Sequence, residues 1–227
     1  LFASLKELGL WNNTLFIVTS DHGDSLTEHE IYFDHHGLYE ESTHVPLIVH
    51  YPARWPSGRR LRCLVQHVDL LPTICEVVGL EPPGGGDGAS LVPVIEGRAD
   101  HIRDAVFMEE SYVQRKAALR TARHKYIRAL DGTGWCRYCE RVHVGVEELY
   151  DIEADPREMH DLAQSSPSLA SEMRLRLDNL IAQLDQKRER SMDRGRGLRS
   201  QADTALDPDE EKSIRDRFKS LGYLSDD

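Results

Sequence analysis

No apolar stretch in these 227 residues is long enough to cross a bilayer as a helix, which takes about 20 residues. Cysteine is scarce: four residues, two of them in helix-like or strand-like apolar context, imply no disulfide framework. Positive charge is also short, with 28 Lys and Arg against 39 Asp and Glu. The resulting net charge of −11 argues against nucleic acid or an anionic membrane as a general partner. What remains is a globular chain with length for one medium domain, or for one partial and one small domain.

Histidine, by contrast, is concentrated. Five of the eleven histidines fall in TSDHGDSLTEHEIYFDHHGLYEESTHVPLIV, residues 19 to 49, among several acids. The flanks decide what this stretch is. TLFIVTS (Thr14 to Ser20) is short, apolar and β-branched, the pattern of a strand buried on both faces as in a parallel sheet. Leu1, Leu5 and Leu8 recur before it at helical spacing, and Gly9 stands where a helix stops. PLIVHYP (Pro46 to Pro52) follows as a second short apolar run. Helix, strand, long loop and strand read as α/β, a fold class whose ligands gather beyond the carboxyl ends of strands. Asp21 and His22 stand at that point, and Gly23 lets the backbone turn or come close to a ligand. Carboxylate and imidazole are both metal ligands, yet two donors do not fill a coordination shell. Alone, the tripeptide reads equally as a helix cap beside a loop histidine.

Four ordered segments and the tail resolve that ambiguity. TSDHGDSLTEH with DHHGLYEESTHVPLIV resembles the second metal-binding segment of the sulfatase family, in the alkaline phosphatase superfamily. LVQHVDLLPTICEVVGL is similar to the helix after the second strand, and GASLVPVIEG to the loop closing the large domain. EELYDIEADPREMHDLA is similar to the acidic signature of the small C-terminal domain, and LDPDEEKSIRDRFKSLGYL to a common bacterial ending. The resemblance implies an alkaline-phosphatase-like mixed sheet flanked by helices, followed by a small α+β domain with an antiparallel sheet and a C-terminal helix. It implies sulfuric ester hydrolysis, on a small molecule or a glycan. Phosphodiesterases, phosphonate monoester hydrolases and phosphoglycerol transferases share the scaffold and stand as the alternative.

Site residues follow from the same resemblance. Asp21 and His22 match the pair that ligates a divalent cation; calcium is the family default, and an imidazole ligand also suits manganese or zinc. His35 falls where the family has a sulfate-contacting lysine, and His36 where a histidine often follows. Either could neutralise charge on the ester oxygens or protonate the leaving alkoxide. His29 and His44 carry less weight, His44 being at a rim or structural position. Glu28 and Asp24 are candidate orienting partners or plain surface acids. The family nucleophile is a formylglycine made from Cys or Ser in a C-x-P-x-R or S-x-P-x-R context, and no cysteine or serine here has that context. The chain opens in mid-helix without methionine or secretory signal, so it is expected to be the C-terminal portion of a longer enzyme.

WCRYCERVH fits no family segment. Cys136-x-x-Cys139 with His143 has the spacing of half a zinc site, which would make a non-catalytic metal-binding module. A redox dithiol is another reading. A hairpin tip with ordinary cysteines or a local disulfide is the plainest. Residues 1–100 are expected to finish the large domain, 101–186 to form the small domain, and 187–227 to be a polar linker with a short terminal helix. Asp69 should cap a helix striped by Leu71, Ile74, Cys75 and Val78 and ended by Gly79. PPGGGDG is a flexible loop, and RTARHKYIRAL and EELYDIE are antiparallel strands. A helix capped by Ser166, with Pro167 first, should bury Leu169, Met173, Leu177, Leu180 and Leu184. Lys187 to Thr204 is polar with little to bury and is expected to be mobile. Asp207, Pro208 and Glu210 look like the start of a last helix, striped by Ile214, Phe218 and Leu221.

Overall fold

A computed structural model describes residues 1–199 except 112, 138, 139, 143 and 144, with side chains described to residue 190. In chain order the elements are α1 (Phe2–Glu7), β1 (Phe16–Thr19), α2 (Glu40–Thr43), β2 (Leu47–His50), α3 (Leu70–Val78), α4 (Val92–Ile95), β3 (Ala105–Glu110), β4 (Lys116–Thr121), β5 (His124–Ala129), β6 (Trp135–Cys136), β7 (Arg141–Val142), β8 (Glu147–Asp151) and α5 (Pro167–Arg199). Mixed α/β structure with antiparallel sheets and a C-terminal helix matches the expected class. Residues 1–181 make one compact unit. No helix among the described residues is long and apolar enough to cross a membrane.

The core lies on the two faces of an antiparallel sheet in the order β3-β4-β5-β8. Alternation with period two sorts its side chains. Ala117, Leu119, Tyr126 and Leu149 turn to one face, where Ala170, Met173 and Leu177 of α5 cover them. Ala118, Ile127 and Tyr150 turn to the other, where Ile31, Leu38 and Tyr39 of the histidine-rich loop cover them. That loop is therefore part of a hydrophobic core. RTARHKYIRAL proves to be the end of β4, a turn and β5, because Thr121 Oγ1 accepts from His124 N–H at 2.9 Å and folds the chain back.

Three expectations need correction. β1 and β2 pair antiparallel, Phe16 opposite His50, and Val18 and Ile48 are 46% and 58% exposed. An apolar run alone does not separate a doubly buried parallel strand from a two-stranded ribbon, and among the described residues no third strand joins this pair. In α3, Thr73 and Cys75 are buried while Leu71, Ile74 and Val78 are 53%, 38% and 58% exposed. The Asp69 carboxylate makes no cap bond to that helix. It accepts instead from Gln66 N–H at 2.7 Å and Ala89 N–H at 2.9 Å and pairs with Arg103, which joins three segments. Third, the polar stretch from Lys187 is helical through Arg199. Arg, Glu, Lys, Gln and Met are strong helix formers, so helix continues there without an apolar face. The expected last helix, Asp207 to Leu221, lies outside the described residues.

Candidate functional site

The site starts where β1 ends. Ser20 Oγ donates to the His22 carbonyl at 2.6 Å, and His67 Nε2 lies 2.8 Å from the Ser20 carbonyl, fastening the strand end to the segment before α3. The His22 backbone N–H donates to Asp21 Oδ1 at 3.0 Å and holds the Asp21 carboxyl below the usual carboxylate range. His22 Nδ1 sits 3.0 Å from the Gly23 carbonyl, so Nδ1 carries the proton in the neutral ring. Its Nε2 lone pair is left facing Asp21 Oδ2 at 3.8 Å. The expected ligand pair is thus side by side, with Asp21 exposed and His22 partly buried.

Gly23 locks this turn. Its N–H donates to the Ser42 carbonyl at 2.9 Å, and a Cβ on it would stand 2.0 Å from the Glu41 carbonyl oxygen. Only glycine fits against α2 there. Beyond the turn, Ser25 and Asp34 form a short antiparallel bridge, Ser25 N–H to Asp34 carbonyl at 2.8 Å. That bridge returns His35 to His22, and the two rings stack with centroids 3.9 Å apart. His35 Nδ1 lies 3.5 Å, and His22 Nδ1 3.9 Å, from Asp24 Oδ1. His22, Asp24 and His35 each bring a ligand atom within 4.8 Å of the others. Asp24 therefore belongs to the cluster. Its only sequence signal is a carboxylate three residues after Asp21 on the far side of a glycine turn.

His36 is not brought to that cluster. His35 has an exposed side chain, whereas His36 is 2% exposed and points into the protein. Its Nδ1 lies 3.5 Å from Asp34 Oδ1 and its Nε2 3.6 Å from Cys136 Sγ. Burial sets His36 apart from the exposed cleft that Asp21, His22 and His35 line. Cys136 does sit on a hairpin, β6 with β7; Cys139 and His143 lie outside the described residues.

The other candidates make local and packing contacts. Glu28 accepts from the N–H groups of Leu26 and Thr27, a local turn. His29 stacks on Tyr39 at 3.7 Å, its planes 7° apart, and burial, the largest influence, holds its imidazole below the ordinary value. His44 pairs with Glu40 at 3.3 Å, which raises its pKa. The backbone is left-handed at His29, Glu30, Phe33 and Leu38, none of them glycine. Such residues persist where surrounding contacts over-determine them.

Those contacts form a buried charged layer between loop and sheet. Tyr39 Oη donates to Glu148 Oε2 at 2.7 Å, Tyr150 Oη to the same oxygen at 2.9 Å, and Lys116 Nζ to Glu148 Oε1 at 3.0 Å. Burial and the Glu148 carboxylate push both tyrosines up. Lys125 Nζ bridges Glu158 at 2.9 Å and Glu40 at 3.3 Å. Burial opposes ionisation of Glu40, but His44, Lys125 and Arg120 outweigh it and hold the carboxyl at about 2.

A family model described as N-sulphoglucosamine sulphohydrolase, C-terminal, matches residues 27–187. The chain belongs to that sulfatase family. It is 35% identical over 162 residues to an N-acetylglucosamine-6-O-sulfatase of Bacteroides thetaiotaomicron, covering 70% of this chain and 28% of that protein. A protein solved in complex with its substrate D-glucosamine-2-N,6-O-disulfate superposes with a TM-score of 0.67 at 28% identity, covering 82% of this chain and 37% of that one. Phosphonate monoester hydrolase of Agrobacterium radiobacter gives 0.66 at 28% identity, covering 80% and 38%. This chain therefore spans about a third of the length of its relatives. Membership of the sulfatases, within the alkaline phosphatase superfamily, agrees with the motif resemblance.

Proposed function

We propose that the protein carrying this chain hydrolyses a sulfate ester on a carbohydrate, using a divalent cation held in part by Asp21 and His22. The observation that carries the proposal is the meeting of Asp21, His22, Asp24 and His35 at the end of β1 in a sulfatase-family chain. An anionic carboxylate beside an imidazole with a fixed lone pair is a donor set that fits a divalent cation. Calcium suits the oxygens, and the His22 nitrogen adds manganese and zinc. When bound, the cation lowers the pKa of an oxygen nucleophile and offsets charge on the ester. The formylglycine used by the family has no matching motif in these 227 residues.

His35 takes the substrate role. It borders Asp24 and Asp34, which orient it, and its exposed ring can donate to an ester oxygen as negative charge builds there. Residues 1–100 then contribute to the catalytic domain, and the sheet within 101–186 holds the loop in place. The likeness to a phosphonate monoester hydrolase favours one second reading, a phosphonate ester in place of the sulfate. The test is release of sulfate from 6-sulfated N-acetylglucosamine against hydrolysis of a phenylphosphonate monoester, each with the parent and with Asp21→Ala. Faster sulfate release that collapses in Asp21→Ala supports the proposal; a preference for the phosphonate overturns it.

A further inference from the structure

We propose that His36 and Cys136 are two ligands of a structural zinc site, separate from the Asp21–His22 cluster. Zinc takes thiolate sulfur at about 2.3 Å and imidazole nitrogen at about 2.0 Å, so two such ligands on a tetrahedral ion stand about 3.5 Å apart. His36 Nε2 and Cys136 Sγ are 3.6 Å apart, across 100 residues of sequence. Both are buried, at 2% and 0% exposure.

The surroundings are those of a ligand pair. The Asp34 carboxylate lies 3.5 Å from His36 Nδ1, a charge that favours the proton on that nitrogen and leaves Nε2, the atom facing Cys136, as the ligating one. A carboxylate behind a histidine in this way orients the ring and raises its basicity toward a metal. The two sides are also fastened independently of any metal: Arg141 on β7 donates to the Glu30 carbonyl at 2.9 Å and pairs with the Glu30 carboxylate at 3.6 Å. Arg137 N–H further ties the hairpin to the Val113 carbonyl. Sequence spacing adds a reason to expect more donors: Cys136-x-x-Cys139 is followed by His143. Those two lie outside the described residues and enter as sequence only. Binding would release the Cys136 thiol proton and clamp the hairpin to the histidine-rich loop, which adds folding stability.

The experiment is metal analysis of the purified chain reconstituted with zinc, beside His36→Ala, Cys136→Ser, Asp34→Asn and Asp21→Ala. The expected result is one tightly held zinc in the parent and in Asp21→Ala. Zinc content should fall about tenfold or more in His36→Ala and Cys136→Ser, and affinity about tenfold in Asp34→Asn. Because Asp21→Ala reads the other cluster, failure of the proposed function leaves this outcome unchanged. Should a ligand variant not fold, cobalt substitution of the parent decides: a thiolate-to-cobalt charge-transfer band supports the site. Absence of that band, a disulfide at Cys136, or unchanged zinc in both ligand variants overturns it.

Discussion

The Tyr39 hydroxyl donates to Glu148 at 2.7 Å, joining the histidine-rich loop to edge strand β8 of the supporting sheet across 109 positions. Glu148 also pairs with Lys116, each about 1% exposed, so neither charge has access to water. Removing one partner leaves the other buried and uncompensated, a cost of about 3–5 kcal/mol. Glu148→Gln should therefore lower the unfolding free energy in urea by that order, and adding Lys116→Met should recover most of the loss, because the carbonyl oxygen of the new amide still accepts from Tyr39 and Tyr150. A single variant within about 0.5 kcal/mol of the parent would contradict the buried-pair account.

His29 makes stability depend on pH. Its folded pKa lies below the ordinary 6.5, chiefly because burial penalises the imidazolium against Tyr39. The unfolded chain thus binds the proton first, and stability that is full above about 6.5 declines as pH falls through that value. His29→Phe keeps the stacked ring and should flatten the fall between about pH 7 and 5. Denaturant midpoints taken across that range test it, and an unchanged slope in the variant would refute it.

Gly23→Ala should show that the ligand turn is a close-packed element. The added Cβ would meet the Glu41 carbonyl oxygen at 2.0 Å, so the backbone must shift at a cost of roughly 1–3 kcal/mol. Divalent cation affinity should fall with it, because Asp21 and His22 precede the displaced residue. Unchanged stability and unchanged metal binding would show that the turn is loose.

Much of this was legible in the sequence. The stripe Leu169, Met173, Leu177 announces α5, since a buried face at helical spacing has no other use. The motif singles out Asp21 and His22, and β1 ends just before them. His35 and His36 are not separable by sequence, because adjacent loop residues differ only in which way the backbone turns them. The Ser25–Asp34 bridge makes that choice. Partners far apart, such as His36 and Cys136, leave no local trace, and the exposure of Val18 and Ile48 depends on what packs beside a strand rather than on its residues.

His35→Ala should cut kcat/KM for sulfate ester hydrolysis about a hundredfold, the usual cost of one positioned donor, with cation content unchanged. His36→Ala should leave that contact intact and act through stability. Steady-state kinetics of folded variants separate them; equal rates for His35→Ala and the parent would end the substrate role.

The most direct test is cation content and sulfate release measured together in Asp21→Ala and His22→Ala of the protein carrying this chain. Removing a ligand charge both loosens the cation and exposes the nucleophile's charge. The predicted result is loss of the bound divalent cation and of sulfate release in both variants, with folding retained. Full cation occupancy and the parent rate in both would contradict the account.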